Sequence, residues 1–300
     1  MRHALVILNK RAGALIDLGI ADIPNHVARV LGEGGARIEV VMAQGRRILR
    51  AIARGVEGPY DTLIVGGGDG SVSAAAAALA GSGKTLGVLP LGTVNLFAKD
   101  LGMPPNLADA LSALAQATPQ VIDLGRVNGR PFHTLSGVGF FSQMARAREE
   151  TRGFWAGRLA GVGVAFFRAI GRSGRFSLDV EIDGRAHRID AFAVLVTNNR
   201  FNADWRRPVL DEGVLEVHVA EEQGSLARLG AGIDLFTGRW RTSDGIRSFT
   251  AREVVIGHAR RRAWIATDGE LVRERLPLSY VVEKRALSVL MQPPQPTKSD

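Results

Sequence analysis

Two glycine-rich turns and one acidic tripeptide hold the residues best suited to chemistry. In the first turn, Gly66, Gly67, Gly68 and Gly70 surround a single carboxylate, Asp69, and Ser71 follows. Glycine lets backbone approach a ligand closely and adopt φ > 0. Backbone amides at a helix start, together with the helix dipole, favour an anion. Phosphate suits such a cradle, but a carboxylate inside it repels phosphate unless a metal ion or another cation is present. That makes Asp69 a candidate metal ligand. The second turn is Pro90-Leu91-Gly92-Thr93-Val94-Asn95. Thr93 can give a hydroxyl to phosphate, and Asn95 can hydrogen-bond ribose, base or phosphate, or cap a helix. Asp268-Gly269-Glu270 would present two carboxylates from a tight turn, one of which can take a proton from a hydroxyl. Taken alone, the same tripeptide reads as an ordinary hairpin turn.

These residues need elements to hold them. Thr62 to Val65 is a short β-branched run and reads as a buried strand, with Ser71 expected as N-cap of the alanine-rich helix beyond the glycines. Thr85 to Leu89 reads as the strand before the second turn, and a helix around Val94 to Leu101 follows it. Strands at His3 to Leu8 and Ala36 to Met42 alternate with helices at Ile23 to Leu31, Arg46 to Arg54 and Leu107 to Ala115. Residues 1–125 therefore read as an α/β domain of right-handed βαβ units around an open, mostly parallel sheet. A ligand binds such a sheet outside the carboxyl ends of adjacent strands, where the two glycine turns fall.

After Asp123 the texture changes. Asn128-Gly129 and Asp183-Gly184 are hairpin signals. Short β-type runs follow at Phe176 to Ile182, Ala191 to Thr197, Val214 to Val219, Glu253 to Ile256, Ala263 to Ala266 and Leu278 to Val282. Residues 126–285 read as an antiparallel, sandwich-like β domain, and the segment from about 286 to 300 is a candidate to return to the first domain. A Gly- and Arg-rich stretch from Phe141 to Arg172 reads as helical, and the final PPQPTKSD as a disordered tail.

The 300 residues contain no cysteine, which excludes disulfides, thiolate catalysis and Cys-based zinc sites, and fits a reducing cytoplasm. The first residues lack a signal-peptide pattern, and no apolar run reaches the length of a membrane span. The net charge is +8, from 38 Lys and Arg against 30 Asp and Glu. The excess points to an anionic partner. Without a nucleic-acid stacking motif, nucleotide or an acidic membrane surface fits better. Arg146, Arg148, Arg152, Arg158, Arg168, Arg172 and Arg175 flank Phe154, Trp155, Phe166 and Phe167. They describe a surface helix with snorkelling side chains or a membrane-docking segment in equal measure. Ala78 to Thr85 (ALAGSGKT) formally fits a Walker phosphate loop but runs from helix to strand instead of strand to helix. Lys84 is accordingly expected to be a solvated loop residue.

GGDGS (Gly67 to Ser71) with PLGTVN (Pro90 to Asn95) resembles the nucleotide site of the diacylglycerol kinase catalytic-domain family. The resemblance covers nearly the whole chain. Asn9 to Gly13 is similar to the family's turn after its first strand, and Asp123 to an Asp before its domain crossover. Asp211 to Leu215 resembles an acidic-Gly-x-Leu signature, and Asp268-Gly269-Glu270 the D-G-E motif. The chain differs from the family pattern at Lys10, Ser73, Leu96 and Glu212. The resemblance implies a two-lobe lipid kinase using ATP and Mg²⁺. Asn9, Gly67, Gly68, Asp69, Gly70, Ser71, Gly92, Thr93 and Asn95 would bind nucleotide, and Asp69, Asp123 and Glu212 would be metal residues. Asp268 would be general base with Glu270 assisting. The implied partner is a lipid at the membrane surface, diacylglycerol-like above others, with no specific nucleic acid; peripheral contact at the inner membrane face and a homodimer stay open. The alternatives are a soluble-substrate kinase related to NAD kinase or phosphofructokinase, and a silent nucleotide- or lipid-binding relative.

Overall fold

The computed structural model describes residues 1–12, 15, 22–150, 176–182, 184–202, 204–221, 230, 234, 243, 245–257 and 261–292. The chain divides into two compact units, one formed by Met1–Asp123 with Lys284–Asp300 and the other by Leu124–Glu283.

In the first unit, strands β1 (His3–Asn9), β2 (Arg37–Ala43), β3 (Thr62–Gly67) and β4 (Thr85–Pro90) pair in the order β2-β1-β3-β4, all parallel. The end of a late strand, β15 (Leu278–Met291), joins parallel to β4 through Ser288↔Thr85 and Val289↔Leu86. The interior of β1 and all of β3 are buried, as near-continuous apolar runs predict for a sheet covered on both faces. Helices Ile23–Gly32, Arg46–Glu57, Asp69–Leu79 and Leu107–Gln116 bury apolar stripes such as Val27/Leu31 and Ile48/Ile52 against it. The expected open parallel α/β sheet is thus observed.

Two local expectations fail. The alanine-rich helix starts at Asp69 with Gly68 as its N-cap, so Ser71 lies inside the first turn. The Ser71 and Val72 amides already reach back to the Gly68 carbonyl at 2.9 and 3.3 Å. An acidic residue at the first position gains from the helix dipole, which favours the earlier start. Lys84 is not a solvated loop residue. Its Nζ donates to the carbonyls of Gly55, Gly58 and Tyr60 at 3.2, 2.6 and 2.8 Å. It thereby satisfies acceptors that the end of helix Arg46–Glu57 leaves open.

The second unit is antiparallel β, as its alternating runs and hairpin signals predict. Its strands are β5 (Thr118–Val127, which begins in the first unit), β6 (Arg130–Phe132), β7 (Leu135–Gly139), β8 (Phe176–Ile182), β9 (Arg185–Asn198) and β10 (Leu215–Glu221). Beyond them come β11 (Ile246–Ala251), β12 (Glu253–Gly257), β13 (Arg262–Thr267), β14 (Glu270–Arg275) and the first part of β15. The order is β14-β13-β7-β9-β8-β12-β15, with β10 and β11 attached at β9, and β5 and β6 at β15. The first half of β9 pairs with β8, its second half with β7 and β10. One core gathers Val194, Val196, Val217, Val254, Ile256, Ile265 and Tyr280. Asn128 and Gly129, both at positive φ, close the β5–β6 hairpin between paired Val127 and Arg130, the conformation that Asn-Gly favours. Helix Phe140–Glu150 follows β7. The rest of the expected helical stretch, with the arginine and aromatic cluster after residue 150, lies outside the described residues, as do Asp183 and the C-terminal tail.

Candidate functional site

The registers of the parallel sheet bring three strand ends to one edge. Leu8 of β1 stands opposite Gly66 of β3, and Gly67 opposite Pro90 of β4. Asn9, the Gly67–Ser71 turn and the Gly92–Asn95 turn therefore share the carboxyl edge of the sheet. A methyl on Gly67 would meet Ser71 Cβ and Oγ at 3.0 Å and Asn9 Cβ at 3.6 Å, so these three residues are mutual neighbours. Asn9 Oδ1 accepts the Arg11 N–H at 3.1 Å, and Lys10 N–H bonds the Ala43 carbonyl at 2.9 Å; together these fix the chain as it leaves β1.

The two glycine turns touch backbone to backbone. A methyl on Gly92 would lie 2.6 Å from Gly68 Cα and 2.7 Å from Asn95 Oδ1. Asn95 occupies the left-handed region at φ 51°, ψ 43°. Its Oδ1 accepts the Gly92 N–H and its Nδ2 donates to the Gly92 carbonyl, both at 2.9 Å. Asparagine is among the few residues that tolerate this conformation, so Asn95 clamps its own turn as well as standing at the site. Thr93 is exposed and Asp69 half-buried. The result, among the described residues, is a cradle of backbone between the turns, bounded by the N–H groups of a helix start, with the Asp69 carboxylate and the Thr93 and Ser71 hydroxyls beside it.

Asp123 is buried, with 1% exposure. Its Oδ1 accepts the backbone N–H of Arg285 at 2.8 Å, and Arg285 holds φ 53°. The carboxylate thus latches the returning C-terminal strand to its own unit, a structural task. In the second unit, Glu212 pairs with Arg200, accepting its N–H at 3.2 Å and meeting its guanidinium at 3.5 Å. Among the described residues no group of three His, Asp or Glu side chains converges on a point where they would hold a metal ion. Asp69 therefore stands without a second carboxylate or histidine ligand from those residues.

Asp268 and Gly269, at φ 47° and 84°, form the turn between paired Thr267 and Glu270, so the hairpin reading of this tripeptide holds. Its carboxylate does more than turn the chain. Oδ2 accepts the His133 N–H at 2.8 Å, and Oδ1 accepts those of Thr134 and Leu135 at 2.9 and 3.1 Å. His133 Nε2 lies 3.5 Å from Oδ2, and both side chains are 3% exposed. Beneath them Ser136 Oγ bridges Thr267 Oγ1 at 3.1 Å and Tyr280 Oη at 3.2 Å, and burial pushes the Tyr280 phenol upward. Arg207, also buried, donates to the carbonyls of His133 and Asn198. Glu270 is exposed. This network around residues 133–136 was not anticipated from sequence. The polar His133 and Thr134 between β6 and β7, with Ser136 in β7, were its signal in the sequence.

Comparison with known proteins agrees with the fold and the motifs. Residues 3–127 match the diacylglycerol kinase catalytic domain, and residues 142–291 match the YegS C-terminal NAD kinase beta sandwich-like domain. An uncharacterized protein of Synechocystis sp. is 30% identical over 210 residues, 66% of this chain and 47% of that protein. A probable lipid kinase YegS-like of Pseudomonas aeruginosa is 45% identical over 108 residues, 35% of this chain and 34% of that protein. The match thus spans less than half the length of these two curated relatives. A crystal structure of a candidate diacylglycerol kinase from Bacillus anthracis superposes with a TM-score of 0.76 at 21% identity, over 97% of this chain and 96% of that one. This last likeness is one of fold.

Proposed function

The chain belongs to the diacylglycerol kinase catalytic-domain family, and on that footing we propose that it transfers the γ-phosphoryl group of ATP, with Mg²⁺, to a hydroxyl of a diacylglycerol-like lipid. The observation that carries this reading is the pair of glycine turns in backbone contact at the carboxyl edge of β3 and β4. Side-chain-free backbone at a helix start suits a run of phosphates. In this reading Gly67, Gly68, Gly70, Ser71 and Gly92 line the phosphate path, Thr93 adds a hydroxyl, and Asn9 and Asn95 hold the turns in shape.

The donor set fits Mg²⁺ in its usual manner, with one or two carboxylates and the remaining ligands from substrate phosphates and water. Asp69 is the residue that would hold it; Asp123 accepts the Arg285 N–H and Glu212 pairs with Arg200. Mg²⁺ would neutralise charge building up on the phosphoryl oxygens. Phosphoryl transfer otherwise asks mainly for positioning and one acceptor for the hydroxyl proton. Asp268 is proposed as that acceptor. Three backbone amides fix its orientation. Glu270, exposed two residues on, would assist.

The test is phosphate transfer from labelled ATP in mixed micelles carrying diacylglycerol, monoacylglycerol, ceramide or a sphingoid base. We expect labelled lipid from the wild type, none from Asp268→Asn with ATP still bound, and a smaller loss from Glu270→Gln. Wild-type turnover in Asp268→Asn would move the proton-acceptor role to Glu270. ATP binding without any lipid product would favour a soluble acceptor or a nucleotide sensor.

A further inference from the structure

At the edge of the second unit, the β13–β14 hairpin carries a charge arrangement that the kinase chemistry does not use. Arg262 stands directly opposite Arg275, and Trp264 opposite Arg273. Like charges directly opposite across a strand pair are destabilising. Among the described residues, none of these three guanidinium groups meets a carboxylate in an ion pair. The nearby Glu274 pairs instead with Arg130 at 3.4 Å. The arginines line an open cavity of about 500 Å³, completed by Asn128, Glu274 and Pro277. Trp264 is 43% exposed, the one tryptophan among the large apolar side chains of the described residues left open to solvent. By alternation it shares a sheet face with Arg262, Arg273 and Arg275.

We propose that this hairpin face docks on the surface of an anionic lipid bilayer. The three guanidiniums take lipid phosphates in and around the cavity, and the Trp264 indole sits at headgroup depth. A repulsive set of arginines with no ion-pair partner among the described residues is offset by a ligand that brings several negative charges to one plane. Arginine matches phosphate geometry. An exposed indole beside it is suited to the membrane–water boundary, where one end of the ring is apolar and the other wet. An acidic bilayer supplies both requirements together, whereas a soluble phosphate would leave the indole in water.

The experiment is co-sedimentation of the full chain, without ATP, with vesicles of phosphatidylcholine alone or with phosphatidylglycerol added. Because no turnover is read, the outcome is independent of the kinase assignment. Wild type should bind the anionic vesicles and lose them at high salt. The triple variant R262Q/R273Q/R275Q should bind about 100-fold more weakly, at about fivefold per arginine, while R262K/R273K/R275K retains most binding. Tryptophan quenching by bromine-labelled lipid should contain a component that Trp264→Phe removes. This last readout leaves the arginines intact, so it stands even where the glutamine triple fails to fold. Wild-type affinity in the glutamine triple, quenching unchanged in Trp264→Phe, or equal competition by soluble glycerol phosphate would overturn the proposal. Loss of binding in R46Q/R50Q, on a helix of the first unit, with the hairpin variants unaffected would also overturn it.

Discussion

Gly92→Ala tests the contact between the two glycine turns with a single methyl group. The added Cβ would sit 2.6 Å from Gly68 Cα, so the turns have to part by about 0.8 Å to reach 3.4 Å, the near edge of ordinary contact. Neither obstacle can rotate away, because one is backbone and the other, Asn95 Oδ1, is bonded to the Gly92 N–H itself. Overpacking of this kind costs about 1–3 kcal/mol, and a displacement near 1 Å at a reacting centre can cost about 100-fold in rate. The informative partner is Gly68→Ala, on the other side of the same contact. Its methyl would lie 3.7 Å from Gly92 Cα, an ordinary distance, and φ −84° suits any residue. We expect Gly92→Ala to lower stability by about 2 kcal/mol in urea unfolding and to weaken ATP binding at least tenfold by calorimetry. Gly68→Ala should lose less than about 1 kcal/mol, the scale of changing a helix N-cap. A Gly92→Ala protein with the wild-type unfolding midpoint would refute the close approach, and with it the cradle built on it.

Lys84→Met keeps the aliphatic stem and strands three carbonyls, so urea unfolding should show a loss of about 2 kcal/mol, the scale of hydrogen bonds to a charged group; a change below 0.5 kcal/mol, typical of a neutral surface substitution, would return Lys84 to the solvent. Burial raises the Tyr280 phenol above its ordinary range, so the folded state keeps its proton where the unfolded chain releases it. The corresponding stability is fully present below about pH 10 and is lost as pH climbs above it, by about 1.4 kcal/mol per unit. The stability difference between wild type and Tyr280→Phe should therefore be constant from pH 7 to 9 and shrink from pH 10 upward; a constant difference through pH 11 contradicts the burial argument.

Much of this was legible because local and tertiary preferences agree. Apolar runs such as Thr62–Val65 bury on both faces wherever a parallel sheet is covered by helices, and Asn128-Gly129 has few conformations besides the hairpin it forms. Apart from the local shift of the Asp69 helix start, the polar pairings that were missed share one physical cause: a side chain whose partner is distant in sequence. Lys84 finds carbonyls near residues 55–60, Asp123 finds the Arg285 amide, and Asp268 finds those of residues 133–135. No periodicity reports such pairs. Strands β5 and β14 were overlooked for a related reason. Pro119 and the charged ELVRER run argue against strand locally, and pairing with β15 and β13 overrides them. At the carboxyl edge of β3 and β4, sequence gave Asn95 a ligand or cap role, where the chain also uses it to clamp its own turn.

The parallel sheet of the first unit is finished by Ser288 and Val289 pairing on β4, and this sets a timetable for biosynthesis. When β4 leaves the ribosome it presents an open edge, and its partner lies roughly 200 residues downstream. At about 5–20 residues per second the edge waits about 10–40 s, an interval in which an unpaired strand can recruit another nascent chain. Crowded polysomes and slow translation between residues 90 and 289 are therefore the conditions under which this protein should aggregate, and a chaperone acting on it would be needed during that interval and not after release.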